Sequence, residues 1–370
     1  MTQLTPALRL SNMGIGTAPL GGLYGAADPA QGVAILHAAL ESGLRYFDSA
    51  MLYGGGQALE ILGAALGPDP SRQYPDLVIS FKVGRLFVSG AHDPHASGKS
   101  LHATGSYPAC TRRYVFDYSA DGIRRSFDQS MDALNRGRAE GGLSALSPGE
   151  LPIIAYVHDP GVAEHGPEQP AVMRQVLGEA FPELRSMQRQ GLLRAYGIGT
   201  NEISPCVAAL ADPHITLLML AGHGTLLCNG APAAPSSMRE RSDEFDALLA
   251  GLAAHPNHPK LAIAAIGNSG LAYGGPMFNY APASPEVLAF RDRLFTAVRE
   301  FSAQPISIIR LLVHYPFAAF GKAVATVVPG PGKMADLPPL LDAFRAGPPP
   351  QELWDHLSAQ GLIRKTLPPS

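Results

Sequence analysis

Short apolar runs rich in β-branched and aromatic residues alternate with helix-like segments along this chain, and three successive runs lead into reactive side chains. YFDSAMLYGGG carries Asp48 and Tyr53, DLVISFKVG carries Lys82, and LPIIAYVHDP carries His158. Alternation of this kind is the pattern of parallel strands joined by helices, with chemistry collected at the carboxyl ends of the strands. Four ionisable groups delivered to one end of a sheet constrain the fold more tightly than any property of the composition.

The rhythm persists over the whole sequence. MGIGTAP opens it, and QGVAILHAALESG reads as a helix with Val33, Leu36, Ala39 and Leu40 on one face. LRYFDSA, DLVISFKVG, PIIAYVHD, LRAYGIGTN, HITLLMLAG, KLAIAAIGNSG and AVATVVPG follow as strands, each with a helix-like segment after it. Asn201 and Ser204 are placed to start the helix near SPCVAALAD. Near-continuous apolar strands imply parallel pairing with both faces covered. Eight strand–helix units close into a (β/α)8 TIM barrel, because closure removes both sheet edges. The alternative is an open doubly wound sheet, which requires some of these strands to be absent. No linker divides residues 1–370, so one domain is expected. The stretch from Val88 to Tyr118 is longer than the usual barrel connection and follows the third strand, on the active-site face. It reads as a lid or a wall of the substrate pocket, or as a surface excursion.

Composition excludes several classes of function. The formal charge is −3, with no Lys/Arg block, so no nucleic-acid partner is expected. Three separated cysteines, with no CxxC pair, fit a reducing compartment. The N-terminus lacks a positive start followed by an apolar core, and no apolar run of about 18 residues appears. A cytoplasmic protein with a small-molecule substrate and no membrane contact is the expectation; the sequence leaves open monomer or homo-oligomer.

The four side chains suit proton transfer. A phenol ordinarily titrates near pH 10 and needs help to work near neutrality. Lys82 can favour the phenolate of Tyr53, and Asp48 can hold the ammonium by a charged hydrogen bond. His158 can donate to a substrate oxygen as charge develops on it. His92, His95, His102, Tyr107 and Cys110 crowd the long insertion, but their spacing matches no metal motif, and no metal is expected.

YFDSAMLYGGGQALEILGAALG, FKVG and YVHDP resemble the aldo-keto reductases, and the likeness runs from GIGTAPLGGLYG through GIGTN and GNSGLAYGG to VVPG and the end of the chain. FDYSADGIRRS and LWDHLSAQGLI resemble the branch containing L-fucose (D-threo-aldose) dehydrogenases and pyridoxal 4-dehydrogenase. The resemblance implies a barrel that binds a nicotinamide cofactor in extended form, with Tyr53 as general acid or base, Lys82 and Asp48 tuning it, and His158 orienting the carbonyl or alcohol. It places Asn201 at the nicotinamide carboxamide, with Asn268, Ser269, Gly270 and Leu271 also on the cofactor. The loop holding Gly330, Gly332, Lys333 and Asp336 falls at the adenosine and its phosphate. Tyr24, Met51, His102 and Tyr107 are the implied substrate contacts. Asp336 and Leu340 stand near positions where NADP-preferring relatives carry arginine and asparagine, so NAD is favoured over NADP. His223 and Gly224 stand where an arginine–tyrosine pair is common. The implied reaction is hydride exchange with a small polar alcohol, hemiacetal or carbonyl, foremost an aldose such as L-fucose. The alternatives are pyridoxal, a general aldehyde or ketone reductase, and a cofactor-binding auxiliary protein without catalysis.

Overall fold

The alternation closes into a barrel in the computed structural model of the chain, which describes residues 2–5, 8–88, 99–100, 105–239 and 242–364. The strands are β1 (Ile15–Gly16), β2 (Tyr46–Asp48), β3 (Val78–Val83), β4 (Ile153–His158), β5 (Ala195–Thr200), β6 (Leu217–Ala221), β7 (Lys260–Ala264) and β8 (Val324–Val328). They neighbour one another in chain order and every pair is parallel. A parallel bridge between Met13 and Val327 joins the two ends. There the Gly14 N–H donates to the Val327 carbonyl, and the Val327 N–H to the Asn12 carbonyl, each at 2.9 Å. This bridge excludes the open-sheet alternative and makes the fold a TIM barrel.

Side chains alternate across each strand, so one file fills the barrel and the other meets the helices. Tyr46, Val78, Ile154, Tyr156, Ala195, Leu217, Met219, Ala262 and Ala325 form the inner core. Leu10, from an antiparallel ribbon of Thr2–Thr5 and Leu8–Leu10, packs with them. Phe47, Ile79, Phe81, Ala155 and Val157 belong to the outer core under the helices.

Helix starts follow local chemistry. Asp28 caps α1 (Pro29–Glu41), accepting from the Gln31 N–H at 3.0 Å, with proline at the first helical position. The buried face of α1 is Gly32, Ile35, Leu36, Ala39 and Leu40, with Val33 at its margin. Ser119 caps α3 (Ala120–Glu140), which crosses α2 (Gln57–Ala65) on the outside of the barrel. Two glycines make that crossing possible. A Cβ on Gly63 would lie 1.9 Å from the Leu134 carbonyl oxygen, and one on Gly137 would lie 1.8 Å from that of Glu60. Gly137→Ala is expected to lower stability by about 1–3 kcal/mol through overpacking, despite the roughly 1 kcal/mol that alanine gains in helix propensity. A denaturant midpoint equal to that of the parent protein would contradict this.

The insertion after β3 contains a small antiparallel sheet, in which Arg85–Val88 and Lys99–Ser100 both pair with Arg113–Phe116. Ser106 reaches the loop after β1, its carbonyl accepting from the Tyr24 N–H at 2.8 Å. His92, His95 and His102 lie outside the described residues. The helix after β5 (Ile203–Ala209) starts from Glu202, not from Asn201 or Ser204. The Glu202 carboxylate instead accepts from the N–H groups of Val162 and Ala163, each at 3.0 Å. No described helix is long and apolar enough to cross a membrane.

Candidate active site

Strand periodicity delivers the polar groups. On β2, Asp48 follows Tyr46 in the inner file; on β3, Ser80 and Lys82 follow Val78; on β4, Tyr156 and His158 follow Ile154. Each file therefore ends at the carboxyl mouth of the barrel with an ionisable side chain.

The Lys82 ammonium is the hub. It donates to Asp48 Oδ2 at 2.6 Å, to the Tyr53 hydroxyl at 2.9 Å and to the Ser49 carbonyl at 3.4 Å, so three acceptors match its three hydrogens. Lys82 is 6% exposed and Asp48 3%, so this ion pair is shielded from water. Below it a ladder of hydroxyls descends the barrel axis. Ser80 Oγ donates to Asp48 Oδ1 at 2.7 Å, the Tyr46 hydroxyl is 2.8 Å from Ser80 Oγ, and the Tyr156 hydroxyl is 3.3 Å from that of Tyr46. Each hydroxyl has one hydrogen, so Ser80 giving its own to Asp48 makes Tyr46 donate to Ser80 and Tyr156 donate to Tyr46.

The Tyr53 phenol is pushed well above its ordinary range, chiefly by burial and then by the Asp48 carboxylate. The Lys82 ammonium, bonded to the hydroxyl, faces the same oxygen. In this state Tyr53 is a proton donor held in place by Lys82. His158 is 5% exposed, and burial, with the positive charges of Arg85 and Lys82, pushes its imidazole well below the usual histidine range. It is neutral near pH 7, with one N–H to give.

Two cavities open at this end of the barrel. The larger, about 560 Å3, is walled by Asp48, Tyr53, Tyr24, residues 264–270, Gly330 and Asp336 among others. The second, about 400 Å3, shares Ala221, Ala265, Ser269 and Tyr280 with it and includes Asn201 and His223. The loop between them is strained: Ala265, Asn268, Ser269, Asn279 and Tyr280 all have positive φ, between 44° and 70°. Such residues cost about 1–3 kcal/mol each and gather where a ligand is held.

The chain matches the Aldo/keto reductase family over residues 12–359. It belongs to that family. As an aldo/keto reductase it is an oxidoreductase of a group that uses NAD(P)H and acts on small molecules. It is 31% identical to pyridoxal 4-dehydrogenase of Microbacterium luteolum over 364 residues, 96% of this chain and 95% of that one. It is 30% identical to D-threo-aldose 1-dehydrogenase of a Pseudomonas species over 220 residues, 60% of this chain and 59% of that one. An aldo-keto reductase from Bacillus halodurans, solved in a holo form, shares the fold with a TM-score of 0.65 at 17% identity, over 99% of this chain and 96% of the other.

Within this aldo/keto reductase the other residues singled out in the sequence fall in different places. Ser269, Gly270, Gly330, Asp336 and Tyr24 line the larger cavity. Tyr107 is buried, with its ring centroid 6.3 Å from that of Tyr53. Asn268 lines the cavity, but its amide is engaged inside the protein: Oδ1 accepts from Thr225 Oγ1 at 2.8 Å, and Nδ2 donates to the Gly222 carbonyl at 3.0 Å and Asn279 Oδ1 at 3.1 Å. It fastens the strained loop. Asn201 lies on the second cavity, with its carbonyl 3.1 Å from His223 Nε2. Met51 and Leu271 are buried in the outer core. Lys333 is exposed, whereas the Asp336 carboxylate accepts from the N–H groups of Gly332 at 3.0 Å and Lys333 at 2.9 Å. Arg85, Asp159 and Tyr280 were not singled out. The signal for Arg85 was a cation inside the apolar run FKVGRLFV, and that for Asp159 was its place beside His158.

Proposed function

We propose that this protein catalyses reversible, NAD-linked hydride transfer at the hemiacetal carbon of a small cyclic substrate, with pyridoxal first and aldoses such as L-fucose second. The observation that carries this reading is the Tyr53 hydroxyl held 2.9 Å from a Lys82 that is itself 2.6 Å from Asp48, on the wall of a cavity that also takes in the loop after β8. The cavity suits an extended dinucleotide. Glycine lines it at Gly16 and Gly330, where a Cβ on Gly330 would come within 3.1 Å of Pro19. Ser269, Gly270 and the segment from Gly330 to Asp336 would hold such a cofactor, whose nicotinamide ring would accept or return the hydride. In oxidation the Tyr53 phenolate, held by the Lys82 ammonium, takes the hydroxyl proton as the carbon gives up its hydride, and the substrate oxygen ends as a neutral carbonyl. His158 donates its N–H to the substrate oxygen and fixes which face of the carbon is presented.

Pyridoxal is placed first because the relative bearing its name aligns along nearly the whole chain. A dehydrogenase screen of pyridoxal, L-fucose, D-arabinose and L-galactose with both cofactors decides the order. Faster turnover of an aldose would promote the second reading. Preferential reduction of simple aldehydes would replace both with a general reductase.

The preference for NAD rests on Asp336. Its carboxylate already occupies the amides of the loop where a 2′-phosphate would settle, and like charges at such range repel by several kcal/mol at an effective dielectric of about 20. Asp336→Asn keeps an acceptor for the loop and removes the charge. The ratio of kcat/KM with NADP to that with NAD should rise at least about tenfold, and an unmoved ratio would refute the assignment.

A further inference from the structure

We propose that Arg85, acting through Asp159, is the positioning residue for the His158 imidazole. This rests on the hydride-transfer reading, in which His158 orients the substrate oxygen.

Arg85 is the first residue of the strand that leaves β3 for the insertion, and it is 3% exposed. Its Nη2 donates to Asp159 Oδ2 at 2.5 Å and to Glu164 Oε1 at 3.1 Å, and its Nη1 donates to the Tyr114 hydroxyl at 2.9 Å. The guanidinium stacks over Tyr114 and Phe116, 5.0 and 4.7 Å from their ring centroids. Asp159 Oδ2, the oxygen that Arg85 binds, is also 3.3 Å from His158 Nε2. One carboxylate oxygen thus binds the guanidinium and lies close to the imidazole that the chemistry needs, outside hydrogen-bond geometry to it.

The backbone of His158 is secured separately, since the Tyr118 hydroxyl donates to its carbonyl at 2.8 Å. What remains to be fixed is the ring. With Arg85 in place, the Asp159 charge is largely compensated and draws no proton onto the imidazole, whose N–H stays available to a substrate oxygen. Without Arg85 the same carboxylate faces His158 alone, favours the imidazolium and turns the ring toward itself. Burying a guanidinium is costly, and Arg85 Nε has no partner among the described residues, so simple packing is a poor reason for an arginine here. Of the other titratable groups, Lys82 acts on His158 and carries Asp48 and Tyr53 as its own partners, and Tyr118 bonds the His158 carbonyl. Tyr107, from the insertion, and Tyr280, after β7, border Tyr53. Glu164 and His165 lie beyond, joined to Arg85 and Tyr118 respectively.

The test is the pH profile of turnover, with the His158 ring followed by NMR in the same proteins. In Arg85→Met, kcat at pH 7 should fall about 10- to 100-fold from lost orientation, with KM changed by less than about threefold. The profile should gain an acidic limb near neutrality that the parent lacks, and the His158 resonance should titrate there. Adding Asp159→Asn should abolish the new limb, because no carboxylate remains to hold the imidazolium. Arg85→Lys, which keeps a cation, should recover part of the rate and the parent profile, and it carries the test if Arg85→Met does not fold. A parent-like profile and an unmoved His158 titration in Arg85→Met would overturn the proposal, as would a rise in KM at constant kcat. Should the parent protein turn over none of the substrates, the hydride-transfer reading falls, while the His158 titration still decides whether Arg85 governs the ring.

Discussion

Tyr53→Phe should lower kcat/KM about 10²- to 10⁴-fold, the range that a positioned acid or base contributes. The substitution removes one oxygen and keeps the ring, so the packing against Tyr107 survives. Lys82 retains its bond to Asp48, so the buried ion pair survives too. The loss should therefore appear in turnover, with nucleotide affinity changed by less than about twofold. The parent enzyme should also show a directional pH response. Burial and Asp48 hold the phenol protonated well above its ordinary range, so the donor needed for reduction is present through neutrality and disappears only in strong alkali. Oxidation needs the deprotonated form, so its rate should climb as pH rises. Retention of more than half the activity in Tyr53→Phe, or an oxidation rate that falls with rising pH below 9, would remove Tyr53 from the acid–base role.

Lys82→Met should have the second large effect, on stability as well as activity. The ammonium is the only described cation paired with Asp48, and that carboxylate is 3% exposed. Removing one partner of a buried pair leaves an uncompensated charge, at a cost of about 3–5 kcal/mol. Asp48 keeps its bond from Ser80, which offsets only part of this. A denaturant midpoint measured at constant slope reads the loss. Adding Asp48→Asn to the same chain should recover a good part of the stability and none of the turnover, because the charge is gone but Tyr53 still lacks its anchor. A loss below about 1 kcal/mol in Lys82→Met would mean that the pair is not shielded as its burial indicates.

The barrel was legible because strand periodicity is a short-range property. Once LRYFDSA, DLVISFKVG and PIIAYVHD are read as strands, two-residue alternation puts Asp48, Lys82 and His158 in line with the inner file. What stayed hidden depends on contacts between segments far apart in sequence. Arg85 and Asp159 are 74 positions apart, and nothing local announces their bond. Asn268 sits in a motif suggestive of ligand contact, yet its amide is taken up by Thr225, Gly222 and Asn279, because a loop with so many left-handed residues needs fastening. Asp336 was legible as a charge in the loop after β8; its use in closing the amides of Gly332 and Lys333 required the turn itself.

The hydroxyls of Tyr156, Tyr46 and Ser80 each pass their hydrogen toward Asp48. The string ends at Tyr156, which is fully buried like Tyr46 and Ser80, so no water reaches that end to supply or accept a proton. The far end of the barrel is therefore a dead end for protons. In the reaction proposed above, whatever proton Tyr53 gains or gives up must then trade with bulk water through the mouth, so an occupied mouth would isolate the reaction and an empty one reset it.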